Sequence, residues 1–352
     1  MTILVTGAAG FIGSNFVLDW FKQYSEDVVS LDLLTYAGNR ENLSALESNP
    51  KHHFVWGNIS DSKLVDALLK KYHIRAIIHF AAESHVDRSI LSPDDFVQTN
   101  ILGTYRLLES ARLYWQNLNQ TLKETFRFIH VSTDEVYGSL SASESAFTEK
   151  HRYEPRSPYS SSKAASDLMA HAWFCTYGLP VITTNCSNNY GPYQFPEKLI
   201  PLCILNALKG KSLPIYGDGK QIRDWLYVKD HCGAIFKILN NGRIGETYNI
   251  GGMNEKTNLE VVQSICDILD QFKPKVDGKS YFDQVTFIKD RPGHDKRYAI
   301  DAKKIQSELN WKAQEPFEAG LRKTVLWYLD NQDWVDHIFT GEYQQWIKKQ
   351  YL

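Results

Sequence analysis

Short apolar runs rich in β-branched residues recur at 3–5, 28–31, 54–56, 76–80, 126–131 and 181–184, most of them followed by a stretch of helical periodicity. This alternation constrains the fold more than any other feature, because strands joined by crossover helices lie parallel in one sheet with helices on its faces. Residues 61–72 (DSKLVDALLKKY) show one crossover: Asp61 caps the start, and Leu64, Leu68 and Tyr72 fall on one face at i, i+4 and i+8. Residues 94–115 differ. Phe96, Val97, Ile101, Leu102, Tyr105, Leu107, Leu108 and Tyr114 spread over more than one face, so this helix is expected to bury two sides.

After Asn185 turn-rich segments (Gly191-Pro192, Pro214, Gly217-Asp218-Gly219, Gly251-Gly252, Arg291-Pro292-Gly293) separate shorter elements. The expected organisation is a first domain over 1–189 and a smaller, mixed α/β lobe over 190–352 that binds substrate. Residues 247–250 read as a further strand, and parts of 222–255 are expected to return to the first domain, so the two interweave.

Lys and Arg number 39 against 41 Asp and Glu, a net charge of −2. Duplex binding needs a surplus of cations to displace condensed counterions, so nucleic acid is not an expected partner. Five cysteines, with no C-x-x-C pair and an odd count, point to buried thiols in a reducing compartment. No basic leader precedes the first apolar run, and no uncharged run approaches the roughly 18 residues that span a bilayer. The expected location is the cytoplasm, with no membrane partner. The histidines are scattered without metal-ligand spacing, and no metal is expected.

Directly after the first strand comes Thr6-Gly7-Ala8-Ala9-Gly10-Phe11-Ile12-Gly13, which runs into a helical stretch. Glycines allow the tight turn and bring backbone N–H groups to a pyrophosphate at the helix N-terminus. Asp32 ends the second strand, where a carboxylate accepts from a ribose hydroxyl and repels a 2′-phosphate. The first domain therefore reads as Rossmann-type, doubly wound and specific for NAD over NADP.

Tyr159 and Lys163 lie four apart in a helical stretch, on one face. A lysine ammonium and an oxidised nicotinamide both favour the phenolate, so Tyr159 is expected to have a lowered pKa and to act as a base. The glycine loop with Y-x-x-x-K resembles the extended short-chain dehydrogenase/reductase family, which includes nucleotide-sugar epimerases, dehydratases and decarboxylases. In that family the end of the 126–131 strand offers a Ser or Thr to the substrate hydroxyl, a role that fits Thr133. Beside it stand Asp134 and Glu135, which read as an acid and base for water elimination, as two solvated loop acids, or with Asp134 as the cap of the next element.

The resemblance extends along nearly the whole chain to the nucleotide-sugar 4,6-dehydratase branch. It is carried by AAESHVDRS at 81–89, TDEVYG at 133–138, NCSNNYGP at 185–192, QIRDWLYV at 221–228 and RPGHDKRYAID at 291–301. It implies dTDP-glucose as substrate, oxidised at C4, dehydrated across C5 and C6 and reduced at C6, for deoxysugar biosynthesis. Thr133, Asp134 (acid), Glu135 (C5 base), Tyr159 (C4 hydroxyl proton) and Lys163 would be catalytic. Cofactor contacts implied are Gly7, Gly10, Phe11, Ile12, Gly13, Asp32, Leu33, Leu34, Thr35, Asn58, Ile59, Phe80, Ala81, Ala82, Glu83, Ser84, Thr99, Tyr159, Lys163 and Asn189. Substrate contacts implied are Ser84, His85, Thr133, Asn188, Lys198, Leu199, Pro214, Ile215, Tyr216, Arg223, Asn258, Arg291, His294 and Tyr298, with Lys198, Arg223 and Arg291 meeting the diphosphate. His85 equally reads as a cap of its own loop. At Asn58 the family more usually has Asp, so weaker adenine discrimination without loss of NAD binding is expected. The 94–115 and Tyr159 helices, the latter with Leu168, Met169, Trp173 and Phe174, would pair in a homodimer. Rival readings are a nucleotide-sugar 4-epimerase, a dehydratase of UDP- or CDP-sugars, and a nucleotide-sensing protein without turnover.

Overall fold

The computed structural model describes residues 1–338. Its strands, in chain order, are β1 (Thr2–Thr6), β2 (Asp27–Asp32), β3 (His52–Trp56), β4 (Ile74–His79), β5 (Arg127–Thr133), β6 (Val181–Cys186), β7 (Asn188–Tyr190), β8 (Leu213–Tyr216), β9 (Ile222–Tyr227), β10 (Thr247–Ile250), β11 (Glu255–Thr257) and β12 (Val285–Ile288). Seven of them form one parallel sheet in the order β10-β6-β5-β4-β1-β2-β3. Its central strands are continuous apolar runs because helices cover both faces; β1 is buried at every residue. One face packs Phe16, Val17 and Trp20 of the Phe11–Gln23 helix and Cys232, Ile235 and Ile238 of the Val228–Asn241 helix. The other packs Val65, Leu68 and Leu69 of the Ser62–Lys71 helix with Leu107, Leu108 and Ala170. This is the doubly wound α/β arrangement expected from the alternation.

The order reverses between β1 and β4, and open α/β sheets bind ligands beyond the strand ends at such a switch point. A smaller, mixed set covers that end: β11 runs antiparallel and β7 parallel to β9, and β12 pairs with β8. It has its own core, including Ile204, Leu213, Val262, Leu269, Phe317 and Tyr328. β9 lies in this set, whereas the helix and strand after it, Val228–Asn241 and β10, join the main sheet.

Two details depart from the sequence reading. Residues 94–115 are not one α-helix but Pro93–Phe96, a wide π segment Val97–Gly103, and Thr104–Gln116. Within the π segment Asn100 accepts from the Glu83 N–H, donates to the Glu83 carbonyl and reaches the Ser162 hydroxyl, so long-range hydrogen bonds coincide with the altered register. Of the five thiols, Cys175 is exposed beside His171; the other four are buried.

Candidate active site

The glycine loop turns between β1 and the Phe11–Gln23 helix. Gly7 has φ +65, and a Cβ there would sit 2.6 Å from the Ala81 nitrogen; at Gly13 it would sit 2.1 Å from the Gly7 oxygen. Loop and strand end are tied by Asp32, whose Oδ2 accepts from the Ala9 N–H (2.8 Å) and Oδ1 from the Leu34 N–H (2.8 Å). Burial raises the Asp32 pKa, while the N–H groups of Leu34, Ala9 and Gly10 oppose the rise.

This loop opens a cavity of about 300 Å³. Every implied cofactor residue lines it except one: Gly7, Gly10, Phe11, Ile12, Gly13, Asp32, Leu33, Thr35, Asn58, Ile59, Phe80, Ala81, Ala82, Glu83, Ser84, Thr99, Tyr159, Lys163 and Asn189. Leu34 does not. It sits at φ +55 and contributes its backbone N–H to Asp32 instead. Asn58 lines the cavity while its Oδ1 accepts from the Ser60 N–H (2.8 Å), which leaves its amide nitrogen as the polar group free to differ from a carboxylate.

A second cavity of about 160 Å³ adjoins the first and shares Glu135, Asn188, Asn189, Gln194, Glu197 and Lys198 with it. It is lined by the implied substrate residues His85, Leu199, Pro214, Ile215, Tyr216, Arg223, Asn258, Arg291 and His294. Ser84 and Thr133 line the first cavity. Tyr298 lines neither; buried, it supports the Arg223 guanidinium, which lies 4.3 Å from its ring centre, and donates to Asp295. His85 caps its helix and also lines the cavity. Its Nδ1 accepts from the Arg88 N–H at the start of the Val86–Leu91 helix, and its ring faces the cavity, held neutral by burial.

The cations are positioned by neutral and acidic partners. Arg223 donates to the carbonyls of Ile222 (2.7 Å) and Asp295 (3.0 Å), Arg291 to Asp87 (3.1 Å), and Lys198 to the Ser84 carbonyl (2.6 Å). Tyr216 also donates to Asp87. Asp87, Gln194 and Glu197 were not read from sequence as site residues. Glu197, pushed up to about 7 by burial, precedes Lys198 in an otherwise apolar stretch, and that charge among apolar neighbours was the available signal.

At the junction, Thr133 closes β5 and its hydroxyl accepts from the Glu135 N–H (3.3 Å), so Thr133, not Asp134, caps the short turn that follows. The turn sends two adjacent carboxyls into different surroundings. Asp134 is 1 % exposed, and burial, then Glu135 and Asp224, push its carboxyl well above the usual carboxylate range, which favours the protonated form, with Arg223 and the Thr133 hydroxyl opposing. Glu135 faces both cavities; burial raises it too, but Arg291, Lys198 and Arg223 oppose the rise. A carboxyl whose burial favours its proton thus adjoins a carboxyl surrounded by cations.

The tyrosine differs from expectation. Burial, then Glu135 and Cys186, push the Tyr159 phenol well above its ordinary value, with the Thr133 hydroxyl opposing. The Lys163 ammonium donates to the Val131 carbonyl (2.8 Å) rather than to the phenol. The cavity suits NAD, since Gly7 and Gly13 leave no room for side chains, Asp32 awaits a ribose, and the buried Asn188 Oδ1 and Asp134 Oδ2 have no protein partner. When bound, oxidised NAD supplies the hydride acceptor and the positive charge that favours the Tyr159 phenolate.

The family model of GDP-mannose 4,6 dehydratase matches residues 4–324. The dTDP-glucose 4,6-dehydratase of Shigella flexneri is 56% identical, covering 100% of this chain and 99% of that protein. The protein of the same name from Xanthomonas campestris is 57% identical over 97% of each. Among solved structures, a dTDP-glucose 4,6-dehydratase of Streptomyces venezuelae with NAD bound superposes with TM-score 0.88 at 45% identity, covering 96% of this chain and 100% of that one. A UDP-glucose 4-epimerase of Thermotoga maritima gives 0.82 at 27%, covering 94% and 100%. With a family model spanning most of its length and relatives more than half identical along all of it, this chain belongs to the GDP-mannose 4,6 dehydratase family.

Proposed function

We infer that the protein is an NAD-dependent hydro-lyase that converts dTDP-glucose to dTDP-4-keto-6-deoxyglucose. The observation that carries this reading is the Asp134–Glu135 pair at the junction of the two cavities, a deeply buried carboxyl whose surroundings favour its proton beside a carboxyl held among three cations. Epimerisation at C4 needs only a proton acceptor for the C4 hydroxyl; water elimination needs a base at C5 and an acid at C6 together. Thr133 orients the C4 hydroxyl and Tyr159 accepts its proton, while the C4 hydride passes to bound NAD and returns to C6 after water leaves. The C4 ketone acidifies the C5 proton, Glu135 removes it, and Asp134 donates to the departing C6 hydroxyl. Lys198, Arg223 and Arg291 neutralise the diphosphate, with Arg223 supported by Tyr298. Residues 1–189 with 228–250 make the NAD domain, onto whose core Ala302, Ile305, Leu309 and Trp311 also pack, and the other described residues make the nucleotide-sugar lobe.

Incubation with dTDP-glucose in heavy water checks the reaction: the product loses the mass of water and carries solvent deuterium at C5. Unchanged mass would mark an epimerase, and unaltered substrate a protein without turnover. Glu135→Gln is expected to abolish water loss, about 10²–10⁴-fold, the usual contribution of a positioned acid or base. Normal turnover by that variant would remove Glu135 from the role of base.

The assembly we propose is a cytoplasmic homodimer. Val97, Leu102, Tyr105 and Leu168 are exposed on adjoining helices, and Tyr105 meets Trp173 edge-on at 5.8 Å, so this apolar face is continuous across both. Light scattering at micromolar concentration should give twice the chain mass; a monomer would refute the pairing.

A further inference from the structure

On the same face of the Pro158–Tyr177 helix as Tyr159 and Lys163, one turn further on, lies a buried polar cluster centred on Asp167. His130 and Ser132, two apart on β5, present side chains to the same side of the strand, and both meet this carboxylate. His130 Nε2 lies 2.9 Å from Oδ1, and Ser132 donates to Oδ2 at 2.8 Å. Tyr153, from the segment before the helix, donates to Oδ2 at 3.1 Å. The Asn185 amide on β6 then links the Tyr153 hydroxyl (3.4 Å) to the Thr133 carbonyl (3.1 Å). Lys163 itself donates to Val131, the residue between His130 and Ser132. One carboxylate is therefore bonded to the strand whose end carries Thr133, Asp134 and Glu135, next to the lysine's own attachment point.

We propose that Asp167 is a positioning residue: it is the buried anion that keeps Lys163 charged, and it straps the end of β5 so that Thr133 and the two carboxyls face the sugar. This rests on the assignment of Tyr159 and Lys163 above. A buried ammonium without a compensating anion loses its proton, because charge in a dry interior is costly. Burial lowers the Lys163 pKa; of the groups facing it Asp167 opposes this most, Cys186 is a thiol that burial pushes up to about 12, and burial pushes the imidazoles of His79 and His130 down. Those facing Asp167 are His130, Lys163, Tyr153 and Tyr137. The carboxylate is the anion bonded directly to this strand, and Asn would preserve its shape without its charge.

The test compares Asp167→Asn and Asp167→Glu as NAD-loaded full-length protein, with Tyr159→Phe as control. With the charge removed, Lys163 deprotonates more readily and the Tyr159 phenolate loses support, so the acidic limb of the kcat profile moves to higher pH. A shift of one unit corresponds to a loss of about tenfold at the acidic end that shrinks as pH rises. Asp167→Glu should return the limb to its original position, and retained NAD should be equal in all three. If Asp167→Asn lowers kcat equally at every pH, or leaves the profile in place, the electrostatic role is overturned. Should Asp167→Asn not fold, Tyr153→Phe tests the strap: it keeps the charge, so kcat should fall with KM and the limb position unchanged, whereas a rise in KM alone would overturn it. A fully active Tyr159→Phe would instead remove the parent assignment.

Discussion

A single dihedral shows how closely the site is built. Gly7 combines φ +65 with a backbone contact that a methyl group would occupy, so Gly7→Ala suffers both strain and collision with Ala81. We expect a cost of about 1–3 kcal/mol, the range for a strained backbone residue, and loss of retained NAD, read from the absorbance of the purified protein. Asn58 is the opposite case. Its Oδ1 serves the Ser60 N–H, and a carboxylate would accept that bond equally well. Asn58→Asp should therefore leave turnover intact, and a collapse of activity would count against Asn58 as an adenine neighbour. These two residues were legible because their roles are local: a turn needing glycine and a polar residue at a strand exit. The Tyr159 pKa was not, because the burial and neighbouring acids that raise it come from other segments.

At the scale of elements, the Ser62–Lys71 helix was read from its pattern, including the cap; Asp61 Oδ1 accepts from the Leu64 N–H. Asp61→Ala should cost about 1 kcal/mol, seen as a lower urea midpoint with unchanged kcat, since the helix packs on the sheet away from the cavities. The neighbouring 94–115 stretch shows where pattern reading stops. Apolar spacing identified a helical stretch with two apolar faces, but only one is buried, through Phe96, Leu107 and Leu108, while Val97, Leu102 and Tyr105 stay exposed; the π segment accompanies bonds from Asn100 to Glu83 and Ser162, partners that periodicity does not contain. Likewise the alternation of strands and helices determined a parallel sheet, whereas the pairing of β10 with β6 depends on which strand edge remains available.

For the whole molecule, acid sensitivity follows from buried imidazoles. Burial pushes His231 down to about 3 and His294 to about 4, below their ordinary 6.5. At pH between those values and 6.5 the unfolded chain binds protons that the folded one does not, so stability is fully present above pH 6.5 and declines as pH falls toward 3. Glu197, raised to about 7, acts in the opposite direction, so the effect is best isolated at one site. His231→Asn preserves a donor to the Asn189 Oδ1 (2.9 Å) without a titrating ring. Relative to the parent chain it should gain on the order of 1 kcal/mol for each pH unit below 6.5, measured by urea unfolding at pH 7, 6 and 5.

The amino-acid sequence by itself determined what depends on neighbouring residues: the period of apolar side chains, the glycine turn, the caps, and the four-residue spacing that puts Tyr159 and Lys163 on one helical face. Tertiary structure alone decided what depends on distance through space. It brought Glu135, Lys198, Arg223 and Arg291 from four separate segments to one junction, and it buried Asp134, which pushes its carboxyl pKa upward. The physical reason is that desolvation and charge interaction are set by the three-dimensional surroundings of a group, which the order of residues along the chain leaves unspecified.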